Sequence, residues 1–171
     1  AMPQNALKIV SWNINSVRLR LPNIESFTHA VAPDILCLQE IKCRTAEFPE
    51  KAFKALGFPH LHEHGQKGGH HGVAIASRHP ITARTTAPLC REGHARVNSV
   101  EIAGLELHNI YLPAGSDEPN PETNDKFAHK LDFVQRLHDY FAERAADPAP
   151  RMLVGDLNIA PHPNDVWSHK Q

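Results

Sequence analysis

Several features that would assign this chain to a broad class are scarce or missing. There are three cysteines, Cys37, Cys43 and Cys90. Their odd number, at spacings that match no zinc module, argues against a disulfide-stapled secreted scaffold. No apolar run approaches the roughly 20 residues of a membrane-spanning helix, so no membrane partner is expected. No stretch near the start joins basic residues to an apolar core, so no secretory signal is expected, and a reducing cytoplasm is the expected location. Neither sign of charge is in excess. With 18 Lys and Arg against 19 Asp and Glu, the formal charge is −1 over 171 residues, and net charge gives no signal for a polyanionic partner. Internal repeats and low-complexity tracts are missing too.

The rest fits one globular domain. A hydrophobic content of 41% and a charged content of 22% are ordinary, and a chain of this size buries roughly two-thirds of its unfolded surface. Residues 1–6 read as a tail, with Ala1 before Met2 like a scar of tag removal, and 7–171 as domain. Charge is unevenly spread. Residues 60–100 hold five cations against two acids and seven of the 13 histidines, whereas residues 101–150 hold ten acids against four bases. One region could face an anionic partner while another repels it, or the two could be differently solvated faces.

Hydrophobic patterning predicts an α/β chain with a mixed sheet. Leu7 to Asn13 alternates as a strand does. Pro22 sits near the start of a helix whose Leu21, Ile24, Phe27 and Val31 share a face. Ile35 to Leu38 is a short apolar run suited to a buried parallel strand. A helix is expected from Pro49 to Leu56, closed by Gly57. Strands are expected at 59–64, 72–77 and 81–86, then a hairpin of Val97–Ala103 and Leu105–Leu112 around Gly104. The Pro-rich stretch 113–124 reads as a functional or mobile loop. The longest helix follows, marked by Phe127, Leu131, Val134, Leu137 and Phe141, with Thr123 or Asn124 as cap. A last strand covers Arg151 to Val154.

Polar residues collect where these strands end. Asn13 follows the first, Glu40 the second, Tyr111 closes the hairpin's return strand, and Asp156 and Asn158 follow the last. In α/β sheets, ligands gather beyond the carboxyl ends of strands. Two carboxylates with two carboxamides form an all-oxygen donor set, suited to a hard ion such as Mg²⁺ rather than zinc. Such a set permits hydrolysis of a phosphate ester. Each residue alone has a plainer reading, since Asn and Asp after strands commonly close turns and cap helices.

The segments WNINSVRLRLPN (12–23), PDILCLQEIK (33–42), KGGHHGVAIASR (67–78), NIYLPAG (109–115) and GDLNIAP (155–161) resemble the exonuclease III family. Its members are Mg²⁺-dependent abasic-site endonucleases and 3′-exonucleases of the endonuclease/exonuclease/phosphatase superfamily. The resemblance implies the four-layer α/β sandwich of the DNase I-like fold. Glu40 would be the main metal carboxylate, with Asn13 beside it at metal or phosphate. Tyr111 would contact the scissile phosphate. Asp156 would orient or deprotonate the attacking water, and Asn158 would stabilise the transition state. Both also belong to the implied metal set. Arg18, Lys42 and Lys67 are candidates for phosphate contacts. The implied cofactor is Mg²⁺, with Mn²⁺ as a substitute, and the implied partner is double-stranded DNA with abasic sites or 3′ ends.

The resemblance stops before the family pattern does. Beyond GDLNIAP the family brings further Asp/Asn and aromatic elements and a terminal Ser-Asp-His. This chain ends in DVWSHKQ, read as the first turn of a new helix, and Ser168-His169 does not match the terminal motif. The expectation is therefore a chain lacking the C-terminal portion of its domain, impaired or inactive at this length, with an apolar sheet face left open. The missing part would come from a second chain or be lost. Alternatives are a phosphoesterase of the same fold acting on a non-DNA substrate, or a non-catalytic DNA-binding fragment. A rival reading of the histidines gives zinc to His60, His62 and His64, which alternate, with His70 and His71 nearby.

Overall fold

The computed structural model describes residues 6–115 and 119–158. The scar-like start, part of the Pro-rich loop and the segment 159–171, with Ser168, His169 and the expected last helix, lie outside the described residues. Among the described residues, no helix is long and apolar enough to cross a membrane.

Two four-stranded sheets form the body, with orders β1-β2-β4-β3 and β5-β6-β7-β8. In the first, β1 (Ile9–Asn13) runs parallel to β2 (Ile35–Gln39), reached through helix α1 (Leu21–Val31). Helix α2 (Glu50–Ala55) leads to β3 (His60–His64) and then β4 (Val73–Ser77), which pairs antiparallel with both β2 and β3. The second sheet begins with β5 (Ala83–Thr85). A hairpin follows, β6 (Val97–Ile102) and β7 (Leu105–Tyr111), turned by Ala103 and Gly104, both at positive φ. Helix α3 (Asp125–Ala142) then crosses over to β8 (Arg151–Asp156), which lies parallel to β7. The α/β class is present, and so are the elements expected among the described residues.

Strand alternation sorts side chains into layers. From β1, Val10 and Trp12 pack under the helices with Ile24, Leu36, Leu38, Phe53 and Phe58. Leu7 and Ile9 point the other way, into a cluster of Ile35, Cys37, Ile75, Val100, Ile102 and Leu107 between the sheets. β2 is covered on both faces and buried along its whole length, which is why its sequence runs apolar without alternating. Three helices and two sheets thus form stacked layers, as expected.

Two expectations need correction. Among the described residues, the inter-sheet cluster buries the central strands of both sheets, so the open apolar surface is narrower than a whole sheet face and includes the edge strand β8. Among the described residues, the exposed large apolar side chains are Met152 (41%) and Leu153 (46%) on the edge strand β8, Leu157 (47%) just after it, Leu131 (45%) and Val134 (41%) on α3, and Leu19 (67%) before α1. The packed stripe of α3 is also displaced from the expected one. Phe133, Leu137, Tyr140 and Phe141 pack on the outer face of β6 and β7 against Val97, Ile110 and Leu112. Leu131 and Val134 lie off that stripe because the fully buried Phe133 fixes which side of the helix faces inward. The cap is Asn124, whose side chain accepts from Lys126 N and Phe127 N.

Candidate active site

The inter-sheet layer changes character along the strands. Its middle is apolar, but toward the carboxyl ends of β1, β2, β7 and β8 the inward positions become Ser11, Asn13, Gln39, Asn109, Tyr111 and Asp156. The parallel pairs put these ends side by side. Asn13 is in register with Gln39, and Tyr111 with Asp156, while β1 lies against β8 across the layer.

A buried amide cluster fixes the two sheets at this end. The Asn109 side chain is inaccessible and donates to Leu38 O (3.0 Å), Ala74 O (3.1 Å) and Asn98 Oδ1 (3.1 Å). Its Oδ1 accepts from Gln39 Nε2 at 2.8 Å. Asn98 Nδ2 donates in turn to His62 O at 2.7 Å. An amide inside an apolar layer is tolerated when its hydrogen-bonding capacity is filled. Here that requirement sets the register of one sheet on the other.

Directly beyond this cluster stand the acids. By alternation Glu40 would follow Gln39 onto the helix side, but its φ of +55° ends the alternation. Its backbone carbonyl accepts from Ser16 N at 2.9 Å, and the neighbouring Ile41 N donates to Gly72 O at 3.2 Å. These loop contacts hold a conformation that a non-glycine residue seldom adopts. The Glu40 carboxylate then meets Tyr111, whose hydroxyl donates to Oε1 at 2.8 Å. Burial first, then the neighbouring carboxylate, push the phenol far above its ordinary range, so Tyr111 remains a proton donor. Arg96 is buried, stacks its guanidinium 4.8 Å from the Tyr111 ring and donates to Tyr111 O at 3.3 Å.

Asp156 is held from two sides. Asn13 Nδ2 donates to its Oδ2 at 2.8 Å, and Asn158 N donates to its Oδ1 at 3.0 Å. Asn158 Nδ2 is anchored on Leu112 O at 2.6 Å. β8 can deliver Asp156 only because Gly155 precedes it. A Cβ there would lie 1.8 Å from Ile110 O, at a φ of +143°.

Asn13, Glu40, Tyr111, Asp156 and Asn158 therefore gather in one place, as two hydrogen-bonded pairs closed by Asn158. The three cations do not join them through any described hydrogen bond. Arg18 pairs with Glu47 at 3.1 Å and reaches Lys42 O at 3.5 Å. Lys42 is fixed by its backbone, whose N–H donates to His71 O at 2.9 Å. Lys67 is exposed in the turn after β3. The sequence did not single out Gln39, Asn109 or Arg96, and it offered His71 only beside the zinc reading; its ring centroid lies 6.3 Å from that of Tyr111. Asn109 had a readable signal, since it stands two residues before Tyr111 on one strand and so shares its face. Arg96 had none.

The donor set suits a hard divalent ion. Glu40 offers a second carboxylate oxygen with no hydrogen-bond donor among the described residues, and Asn13 and Asn158 offer amide oxygens nearby. Zinc at the histidines finds no support. Among the described residues no group of three or more His, Cys, Asp and Glu side chains could hold a metal ion, and His62 is hydrogen-bonded to Thr85 O at 3.0 Å.

The sequence profile of the endonuclease/exonuclease/phosphatase family matches residues 10–170. The chain is 33% identical over 166 residues to exodeoxyribonuclease III of Haemophilus influenzae, covering 94% of this chain and 60% of that protein. Among solved structures it superposes on an AP endonuclease from Archaeoglobus fulgidus with a TM-score of 0.82 and 32% identity, covering 95% of this chain and 62% of that one. A 3′ phosphatase, NExo from Neisseria, bound to product DNA hairpin, gives a TM-score of 0.80 at 32% identity, covering 92% and 60%. The chain spans about 60% of the length of these relatives.

Proposed function

The chain belongs to the endonuclease/exonuclease/phosphatase family, and from that premise we propose that it is the amino-terminal portion, residues 7–171, of a single-domain DNA-repair phosphodiesterase of the exonuclease III type. Its substrate is double-stranded DNA, cut beside abasic sites or trimmed from 3′ ends. Its cofactor is Mg²⁺, with Mn²⁺ as a substitute, and it works in the cytoplasm, in keeping with its three unpaired cysteines. The observation behind this reading is the convergence of Glu40–Tyr111 and Asn13–Asp156 at the ends of two parallel strand pairs. Relatives that share the fold are an exodeoxyribonuclease, an AP endonuclease and a phosphatase bound to DNA.

Glu40 is the principal metal carboxylate, with the amide oxygens of Asn13 and Asn158 and the Asp156 carboxylate completing the oxygen set. Bound there, Mg²⁺ supplies Lewis-acid polarisation of a phosphoryl oxygen. The residues themselves do the rest. Tyr111, kept protonated, turns its hydroxyl from Glu40 to a non-bridging phosphate oxygen. Asp156, oriented through both carboxylate oxygens, aligns the attacking water and accepts its proton. The Asn158 amide donates toward the charge that develops on phosphorus-bound oxygen. Affinity rests on contacts to the DNA backbone, for which Arg18, Lys42 and Lys67 are the proposed side chains.

Two assays test this. Titration of the chain with Mn²⁺, followed by the loss of the free-ion electron paramagnetic resonance signal, should show one saturable site that Glu40→Gln weakens at least tenfold. A labelled duplex with one abasic site, incubated with Mg²⁺ or EDTA, should be incised by the wild-type chain, slowly at this length, and not by Asp156→Asn. Metal binding that is indifferent to Glu40, or incision equal in the Asp156 variant, would refute the assignment.

A further inference from the structure

At the end of β7, where Cys90 packs with Val97 and Leu112, a thiol and an imidazole face one another. Cys90 Sγ lies 3.2 Å from His129 Nε2, and both residues are nearly buried, at 8% and 6% exposure. On the other side of the imidazole, His129 Nδ1 lies 3.9 Å from Glu92 Oε1, within ion-pair range. The other Glu92 oxygen, Oε2, is 3.5 Å from His94 Nε2. A nucleophile in hydrogen-bond reach of a base is the arrangement that activates a thiol, and the Glu92 carboxylate lies close enough to attract the imidazolium that forms. Burial, outweighing the pull of Glu92, holds the His129 imidazole below its ordinary range. It is therefore neutral near pH 7 and free to accept a proton.

Cys90 borders open space. Cys90 lines a cavity of about 340 Å³ with His94, Thr86, Pro88 and Gly93. The other two cysteines lack these features. Cys37 is sealed between the sheets and Cys43 under the helices, both with no accessible surface. Burial raises both thiols above their ordinary range, and neither is hydrogen-bonded to an imidazole among the described residues.

We propose that Cys90 is a site of reversible oxidation by small peroxides, with His129 as its general base. The thiol proton passes to His129 Nε2 as sulfur attacks one oxygen of hydrogen peroxide. The S–O bond forms as the O–O bond breaks. The departing hydroxide takes the proton from the imidazolium and leaves as water. Sulfur is oxidised to the sulfenic acid and the peroxide is reduced. The sulfur that is oxidised lies 3.2 Å from the His129 imidazole. Ring contacts lead from it to His94 at 6.0 Å, from His94 to His71 at 4.1 Å, and from His71 to Tyr111.

The test is chemical and does not depend on nuclease activity. The folded 171-residue chain is treated with limiting hydrogen peroxide and a dimedone-type trap, and labelling of each cysteine is followed by peptide mass. Cys90 should be trapped at least tenfold faster than Cys43, with Cys37 spared, and dithiothreitol added before the trap should reverse the oxidation. His129→Gln should slow trapping at Cys90 at least tenfold. Glu92→Gln, at a half-exposed position, should slow it severalfold and serves should the first variant unfold. A wild-type rate at Cys90 no greater than at Cys43, or an unchanged rate in a folded variant, overturns the proposal.

Discussion

Replacing Asn109 by leucine keeps the branched four-atom skeleton of the side chain and removes all its polar atoms. The Asn109 amide makes three donor contacts and accepts one, all inside the layer between the sheets. Its two N–H groups share three acceptors, so the set is worth about three hydrogen bonds, at about 1 kcal/mol net each. Only one side of each bond is removed. Leu38 O, Ala74 O and the Asn98 side chain keep their polarity and cannot reach water, so leucine's greater hydrophobicity does not offset the loss. The expected cost is about 3–4 kcal/mol. Because 1 kcal/mol moves the midpoint by about 2–4 °C in a domain of this size, the thermal midpoint should fall by roughly 10 °C. Urea unfolding followed by circular dichroism would measure it, with Tyr111→Phe as the comparison. That variant loses one half-buried hydroxyl bond and should cost about 1 kcal/mol or less. An Asn109→Leu chain within 1 kcal/mol of wild type, at an unchanged m-value, would refute the claim that this amide clamps the sheets.

Other outcomes follow from the same geometry. Asp156→Asn, beyond abolishing incision, should leave DNA affinity nearly intact in a salt-titrated binding assay; equal loss of both would make Asp156 structural. Gly155→Ala forces a methyl against Ile110 O and should cost more than about 2 kcal/mol. In a thermal scan with Mn²⁺ it should also lose metal-dependent stabilisation as Asp156 leaves Asn13. Glu63 is held at a pKa of about 7 by burial and by the neighbouring Glu50 carboxyl, against an ordinary value of 4.5. The folded chain keeps a proton there that the unfolded chain gives up, so stability should fall as pH rises from about 4.5 to about 7. Glu63→Gln should flatten that slope in urea titrations across the range, and an unchanged slope would place the titration elsewhere.

The strands and helices were legible because burial geometry is written into residue spacing. β2 reads as an unbroken apolar run because helices cover one face and the second sheet the other, and β1 alternates because its two faces enter different clusters. The stripe of α3 was less legible. Phe127, Leu131 and Val134 fit a helical face as well as Phe133 does, and only the surface of β6 and β7 decides between them. Of the site, Asn13, Glu40, Tyr111, Asp156 and Asn158 were legible as polar residues at strand ends. Which acid pairs with which donor was not, since that depends on how one sheet is set on the other. Arg96 was invisible because nothing before the fold distinguishes an arginine stacked on Tyr111 from one in solvent.

The hydrogen bonds of the site join residues far apart along the chain. Glu40 and Tyr111 are separated by 71 positions, and Asn13 and Asp156 by 143. Closing such long loops costs entropy before any contact returns it, and folds dominated by distant pairings form slowly. On a ribosome, Asn13 and Glu40 emerge well before the strand that bears Asp156. During that interval Asn13 has no Asp156 to donate to, and Glu40 accepts from Tyr111 only once β7 has been made. The order of synthesis thus sets the order in which these carboxylates find their partners, Glu40 with Tyr111 first and Asp156 with Asn13 last.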